Sequence, residues 1–173
     1  MQRSSSTLSV DSMAAWLMLL GAIFGLCACE TTERIKDYRV SVARFVLEAD
    51  EGNEYASIAE MPVSRVRIPV NGKAVLSEFD ILDVQVAEVE FGKCLVFGLT
   101  QEAGRAFMRD SSLSRGKRLV LLLNGRPIGA RRIQAPITDG RVYIFLETKD
   151  ENLEEIARDI RGTSLDAQRR IKK

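Results

Sequence analysis

The sequence predicts an α+β domain, a mostly antiparallel sheet with two helices packed on one face. Three observations lead there. Several short apolar runs of strand length alternate with turn residues, two segments carry apolar residues at helical spacing, and their order lacks the βαβ regularity of a parallel sheet. The chain has 173 residues, 46% hydrophobic and 28% charged, the balance of a globular protein rather than a disordered one. Its net charge of +1 gives no broad electrostatic pull toward nucleic acid or an anionic surface.

Tyr38 to Val42 alternates as a strand, and Phe45, Leu47 and Ala49 continue in the opposite phase. A bulge near Ala43-Arg44 would reconcile the two phases. Asp50 to Glu54 reads as a turn. A second strand carries Val63, Val66, Ile68 and Val70, limited by Pro62 and Pro69, and Asn71-Gly72 gives a further turn signal. Val84–Phe91 and Cys94–Leu99 then form a hairpin around Gly92-Lys93. Thr100 caps a helix from Gln101 to about Asp110, with Ala103, Ala106, Phe107 and Met108 on its inner side.

Leu119–Leu123 is too apolar to face water and reads as a central strand. Asn124-Gly125 supplies the two positive φ angles of a type I′ turn, and Pro127–Ala135 returns. Asp139-Gly140 turns into a strand over Arg141–Leu146. The last helix is capped by Asp150, lined by Leu153, Ile156, Ala157 and Ile160, and ended by Gly162. These elements give a domain over 37–165, followed by a frayed basic tail over 166–173.

The N-terminal segment speaks to location. No residue from Ser12 to Ala28 is charged, and Trp16-Leu17-Met18-Leu19-Leu20 opens an apolar run that continues through Ile23, Phe24 and Leu26. Leu26-Cys27-Ala28-Cys29 has the order of a bacterial lipobox, and Glu30 to Glu33 turns abruptly polar. Residues 1–28 are expected to be a lipoprotein-type signal peptide, with Cys29 the lipidated residue and 29–36 a tether. An uncleaved anchor and a simple secretory signal are the alternatives, with only Arg3 and Asp11 charged ahead of the run. All three carry the domain out of the cytoplasm, to a cell-envelope location.

No catalytic set emerges. The chain contains no histidine, so neither a Ser-His nor a Cys-His arrangement can form. Cys94 lies in a strand-like run, where a lone thiol is a small buried hydrophobe, and no zinc ligand set can be assembled. Glu88 with Glu90, and Glu154 with Glu155, read as solvated strand and helix faces. No phosphate loop is present. Catalytic residues, metal and cofactors are therefore all expected to be none. Among the basic residues, Arg126, Arg131 and Arg132 beside an apolar hairpin form a candidate polypeptide-binding surface. Such charges on a hairpin edge also discourage sheet-to-sheet aggregation.

The stretch from Val75-Leu76-Ser77-Glu78-Phe79-Asp80-Ile81 through Leu95 to Thr100, with Gly104 to Phe107, resembles the head subdomain of SecD. So do Gly116 to Arg126, Pro136-Ile137 to Val142, and Leu153 to Leu165, in the same order. SecD is the accessory subunit of the bacterial protein-export channel, and the head belongs to its first extracytoplasmic region. The resemblance covers roughly residues 72 to 165 and rests on order and spacing. It does not extend to the membrane helices that couple SecD and SecF to the proton gradient. It implies a non-enzymatic, head-like module that contacts non-native or secreted polypeptide as an aid to export or folding outside the cytoplasm, or else a structural lipoprotein docked on an envelope protein complex. The membrane would be held through a lipid anchor, and no nucleic acid is expected as a partner.

Overall fold

The structure is a computed structural model that describes residues 37–50 and 52–171. Among them are eight strands and two α-helices: β1 Ala43–Glu48, β2 Ser57–Glu60, β3 Arg67–Leu76, β4 Ile81–Val89, β5 Gly92–Leu99, α1 Gln101–Leu113, β6 Arg118–Leu123, β7 Arg126–Arg132, β8 Arg141–Ile144 and α2 Leu153–Ile171. All pairings are antiparallel, and the fold class is α+β as expected. The strands form two sheets rather than one, in the orders β2-β3-β1-β6-β7 and β4-β5-β8.

The main core lies between the sheets and the helices. β1 and β6 pair in register, Phe45 opposite Leu121 and Val46 opposite Val120, so alternate residues of each face opposite ways. Phe45, Leu47, Leu119 and Leu121 join Phe97 and Leu95 of β5, Phe107 of α1, and Leu153, Ala157 and Ile160 of α2. Phe45 and Phe97 meet edge to face at 4.9 Å, which ties the two sheets together through the favourable quadrupole geometry. Val46 and Val120, on the other side, build a second cluster with Ala59, Met61, Ile68 and Val70. The compact unit spans Lys36–Lys173, and both clusters are drawn from within it. A fragment with those ends therefore keeps every core contact described here.

Several local expectations are corrected. Asn71-Gly72 is not a turn, because β3 continues to Leu76. Four β1 positions, Phe45 to Glu48, span seven of β3, Leu76 to Val70, so the surplus residues bulge out. The bulge thus falls on the partner strand, not at Ala43-Arg44. β2 is short and carries only Ile58 and Ala59 as apolar signal. The β4–β5 hairpin turns at Glu90-Phe91, since Val89 pairs with Gly92. Met108 is exposed on α1. Thr100 does cap α1, its hydroxyl accepting from the Ala103 amide at 3.3 Å. Asn124 and Gly125 do hold the positive φ angles of the two-residue turn, 49° and 80°.

Tyr38–Val42 is the most instructive correction. It joins no sheet; the Val42 amide goes to Asn124 Oδ1 at 2.9 Å, and those of Arg39 and Ser41 go to side chains of α2. Arg39 N–H donates to Asp159 Oδ1 at 3.1 Å and Ser41 N–H to Thr163 Oγ1 at 2.8 Å, while the Tyr38 hydroxyl donates to Asp166. Gly162 does not end α2. A Cβ there would lie 2.4 Å from the Tyr38 ring, so the glycine provides the slot in which that ring sits. The helix runs on to Ile171, taking in residues expected as a frayed tail, and a single 3-10 turn over Asp150–Asn152 precedes it. Gln168 fixes its last turns by donating to the carbonyls of Phe79 and Ile81, at 3.1 and 2.8 Å.

Ile160 is fully buried under α2, whereas Ile156 is only partly so. Ile160→Ala should therefore lower stability by about 2–5 kcal/mol, and Ile156→Ala by less. Chemical denaturation of the Lys36–Lys173 fragment checks both, and equal losses would mean that α2 is rotated from the packing described.

Candidate functional site

The three arginines singled out in the sequence lie on β7, and their side chains are not equivalent. Arg126 is exposed at the β6–β7 turn. Arg131 is half-buried and donates from Nη1 to the Tyr143 carbonyl at 2.9 Å. Arg132 is exposed and donates to the Gly116 carbonyl at 2.8 Å. Two of the three thus hold backbone of neighbouring segments, and adjacent positions on a strand point to opposite faces. The outer edge of β7 is also occupied. Gly129 bridges to Leu146, and Glu147 N–H donates to the Ile128 carbonyl at 2.8 Å. A Cβ on Gly129 would come within 2.6 Å of the Phe145 carbonyl oxygen, so the approach needs glycine.

With β7 joined to the chain after β8, the outer margins of the two sheets are β2 and β4. β2 has four residues, β4 nine. No described strand pairs with the outer side of β4, and its first carbonyl, Ile81, is the one that Gln168 satisfies. Beside it runs α2, leaving a groove of about 350 Å³ lined by Val84, Gln85, Val86 and Ala157, with Glu154, Glu155, Arg158 and Arg161 as its charged residues. Arg161 meets Asp83 at 3.6 Å at the strand side. An edge strand next to a helix, with backbone groups to offer and both apolar and charged walls, is an arrangement that accepts an added strand.

No family model matches this chain, and no curated protein matches it. Solved structures do. One described as a membrane component SecDF that enhances protein export aligns over 94% of this chain and 73% of its own, with a TM-score of 0.57 and 21% identity. A second, SecDF in a super-membrane-facing form, aligns over 91% of this chain and 21% of its own, with a TM-score of 0.58 and 21% identity. The fold is that of one part of these SecDF structures. The sequence resemblance to a SecD head thus holds at the level of architecture.

Within this SecD-like fold, sequence reasoning found the hairpin arginines but not the β4–α2 groove. The only signal for the groove was a long alternating strand followed, far along the chain, by an amphipathic helix. Nothing in the sequence joins the two. Cys29 lies outside the described residues. Cys94 is fully buried, and burial pushes its thiol up against the opposing charge of Arg131, which suits a packing residue. Among the described residues no group of His, Cys, Asp or Glu could hold a metal ion, and no helix is long and apolar enough to cross a membrane.

Three carboxylates hold the frame of the site. Glu48 receives Arg118 at both oxygens, 3.1 and 2.5 Å, together with the Arg118 amide at 2.8 Å. These hydrogen bonds hold it below the usual carboxylate range against the burial that would raise it. At Glu78 and Glu147 burial also pushes upward. Arg44 outweighs it at Glu78, and the Ser64 hydroxyl with the Ser64 and Val63 amides outweighs it at Glu147. Carboxyls depressed in the fold stabilise it above their unfolded pKa, near 4.5, and lose that contribution as pH falls through the folded values. Stability should therefore drop steeply below about pH 4.5. Glu48→Gln should flatten that acid limb, as read from denaturant midpoints across pH; an unchanged slope would show that the Arg118 pair contributes nothing.

Proposed function

We propose that this protein is a non-enzymatic, lipid-anchored envelope protein whose SecD-head-like domain binds non-native or secreted polypeptide, assisting export or folding outside the cytoplasm. The observation that carries the reading is the outer side of β4 beside α2, in a fold shared with a protein described as enhancing export. An extended client would add as a strand to β4. Main-chain hydrogen bonds supply affinity without demanding a sequence, which suits many clients. Arg158 would meet acidic side chains or carbonyls and Glu154 and Glu155 basic ones, while Arg161 is engaged by Asp83, so the charged part of the affinity should weaken as salt rises. Binding near the micromolar range, roughly −8 kcal/mol, matches a transient client. The β7 arginines, with Arg126 the freest of them, form a second surface that clients could touch.

Amide NMR of the Lys36–Lys173 fragment distinguishes the surfaces. On adding a permanently unfolded reporter protein, perturbations should concentrate at residues 82–88 and 154–161, and Arg158→Glu should weaken binding several-fold. Perturbation confined to 126–132, removed by alanine at Arg126, Arg131 and Arg132, would transfer the site to the hairpin. No binding, with one stable copurifying envelope complex, would instead favour a docking lipoprotein.

Export is tested separately. Cys29→Ser in cells should abolish lipid incorporation and leave an uncleaved precursor; a mature chain beginning near residue 29 would point to an ordinary signal peptidase.

A further inference from the structure

Tyr38, Val40 and Val42 have the alternation of a strand, yet they face away from the main core. With Phe79 and Ile171 they line a groove of about 380 Å³ bordered by Arg170. Val40 is 63% exposed, Phe79 43% and Ile171 66%. These apolar side chains come from three separate segments, and each is held in place by polar contacts of its own backbone. The lead-in is stapled to α2 through Asp159 and Thr163. Phe79 is presented by a turn in which Asp80 N–H donates to the Ser77 carbonyl at 3.0 Å, and the Ser77 hydroxyl and amide donate to the Asp80 carboxylate. Ile171 closes α2, whose Gln168 grips that same turn. An apolar set fixed in this way and left in water marks a contact surface.

Charge indicates what it contacts. The groove's lining also carries Glu78 and Asp166, and each is balanced: Glu78 by Arg44 at 3.3 Å, and Asp166 by Arg169 at 3.8 Å together with the Tyr38 hydroxyl. Arg170 stands exposed beside them in the last turn of α2, and the sequence continues Lys172-Lys173. Apolar side chains next to a basic helix end are the composition of a face that lies in the headgroup region of an anionic bilayer. Tyr38, one residue after the first described position, lines the same groove, and an eight-residue segment such as 29–36 reaches roughly 25–30 Å at full extension. We infer that this end of the domain, Val40, Phe79 and Ile171 with Arg169 and Arg170, docks on an anionic phospholipid surface. Its placement near a bilayer rests on the anchoring at Cys29 proposed above; its affinity for lipid does not, and the affinity is what the test reads.

The Lys36–Lys173 fragment, which lacks the apolar N-terminal run, is floated with vesicles of equal parts phosphatidylglycerol and phosphatidylcholine, and with phosphatidylcholine alone. Wild type should bind the anionic vesicles, more weakly as salt rises, and should bind phosphatidylcholine poorly. Removing Arg169 and Arg170 as alanines should reduce binding roughly fivefold for each arginine. Phe79→Ser should also reduce it, with unchanged thermal unfolding, since only the backbone of Phe79 enters the turn. Lys93→Ala, at the start of β5 by the β4–β5 turn, should leave it unchanged. Absence of wild-type binding to the anionic vesicles overturns the inference, as does equal binding by the Arg169/Arg170 and Phe79 variants. Dimerisation of the fragment that Phe79→Ser abolishes, without vesicle binding, would assign the face to a second copy and overturn it equally.

Discussion

The side chains Asp159, Thr163 and Asp166, one helical turn apart along α2, take up the backbone and ring of the lead-in at Tyr38, Arg39 and Ser41. α2 packs its apolar face on the three-stranded sheet, and the lead-in runs directly into β1 at the middle of the five-stranded sheet. One set of hydrogen bonds therefore fixes the relation of the two sheets. Asp159 and Thr163 are themselves buried, so these acceptors could not be left unpaired without a desolvation penalty. Gly162 belongs to the same device, because any side chain there would expel the Tyr38 ring.

From that relation follows the treatment of the sheet edges. β7 and the chain after β8 close on each other at Gly129, and Glu147 reaches across to the amides of Val63 and Ser64 next to β2. Edges that would otherwise invite aggregation are covered. β4 is left with its outer side open but flanked by α2, whose Arg161 pairs with Asp83 of the strand, while a charge pair joins β1 to β6 in the other sheet. Arg118 with Glu48 has the bidentate geometry in which an ion pair contributes more than a lone surface contact.

The shared fold does not by itself carry an activity, because one architecture hosts many functions. At 21% identity, what can be argued about this chain comes from its own side chains. Two surfaces stand out for different physical reasons. The β4 groove offers backbone hydrogen-bonding groups, which suit an extended chain of any sequence. The end formed by Val40, Phe79 and Ile171 offers apolar area with basic neighbours, and backbone recognition plays no part in it.

The sequence by itself determined both helices in outline, the β4–β5 and β6–β7 hairpins, the Thr100 cap, the Asn124-Gly125 turn and the buried Leu119–Leu121 strand, because each rests on a neighbour within a few residues. It also determined the absence of histidine chemistry and the SecD-like order of segments. What it could not settle were features whose cause lies far along the chain. Tyr38–Val42 alternates like a strand but joins no sheet, because Asp159 and Thr163, about 120 residues away, receive its Arg39 and Ser41 amides. Gly162 looks like a helix stop yet serves as a slot for an aromatic ring. Asn71-Gly72 looks like a turn, but pairing on both sides pulls it into β3 as a bulge. Arg131 and Arg132 look like free charge until the carbonyls of Tyr143 and Gly116 are brought to them. Local signals report what a segment can do alone, and tertiary structure decides which backbone groups it must satisfy.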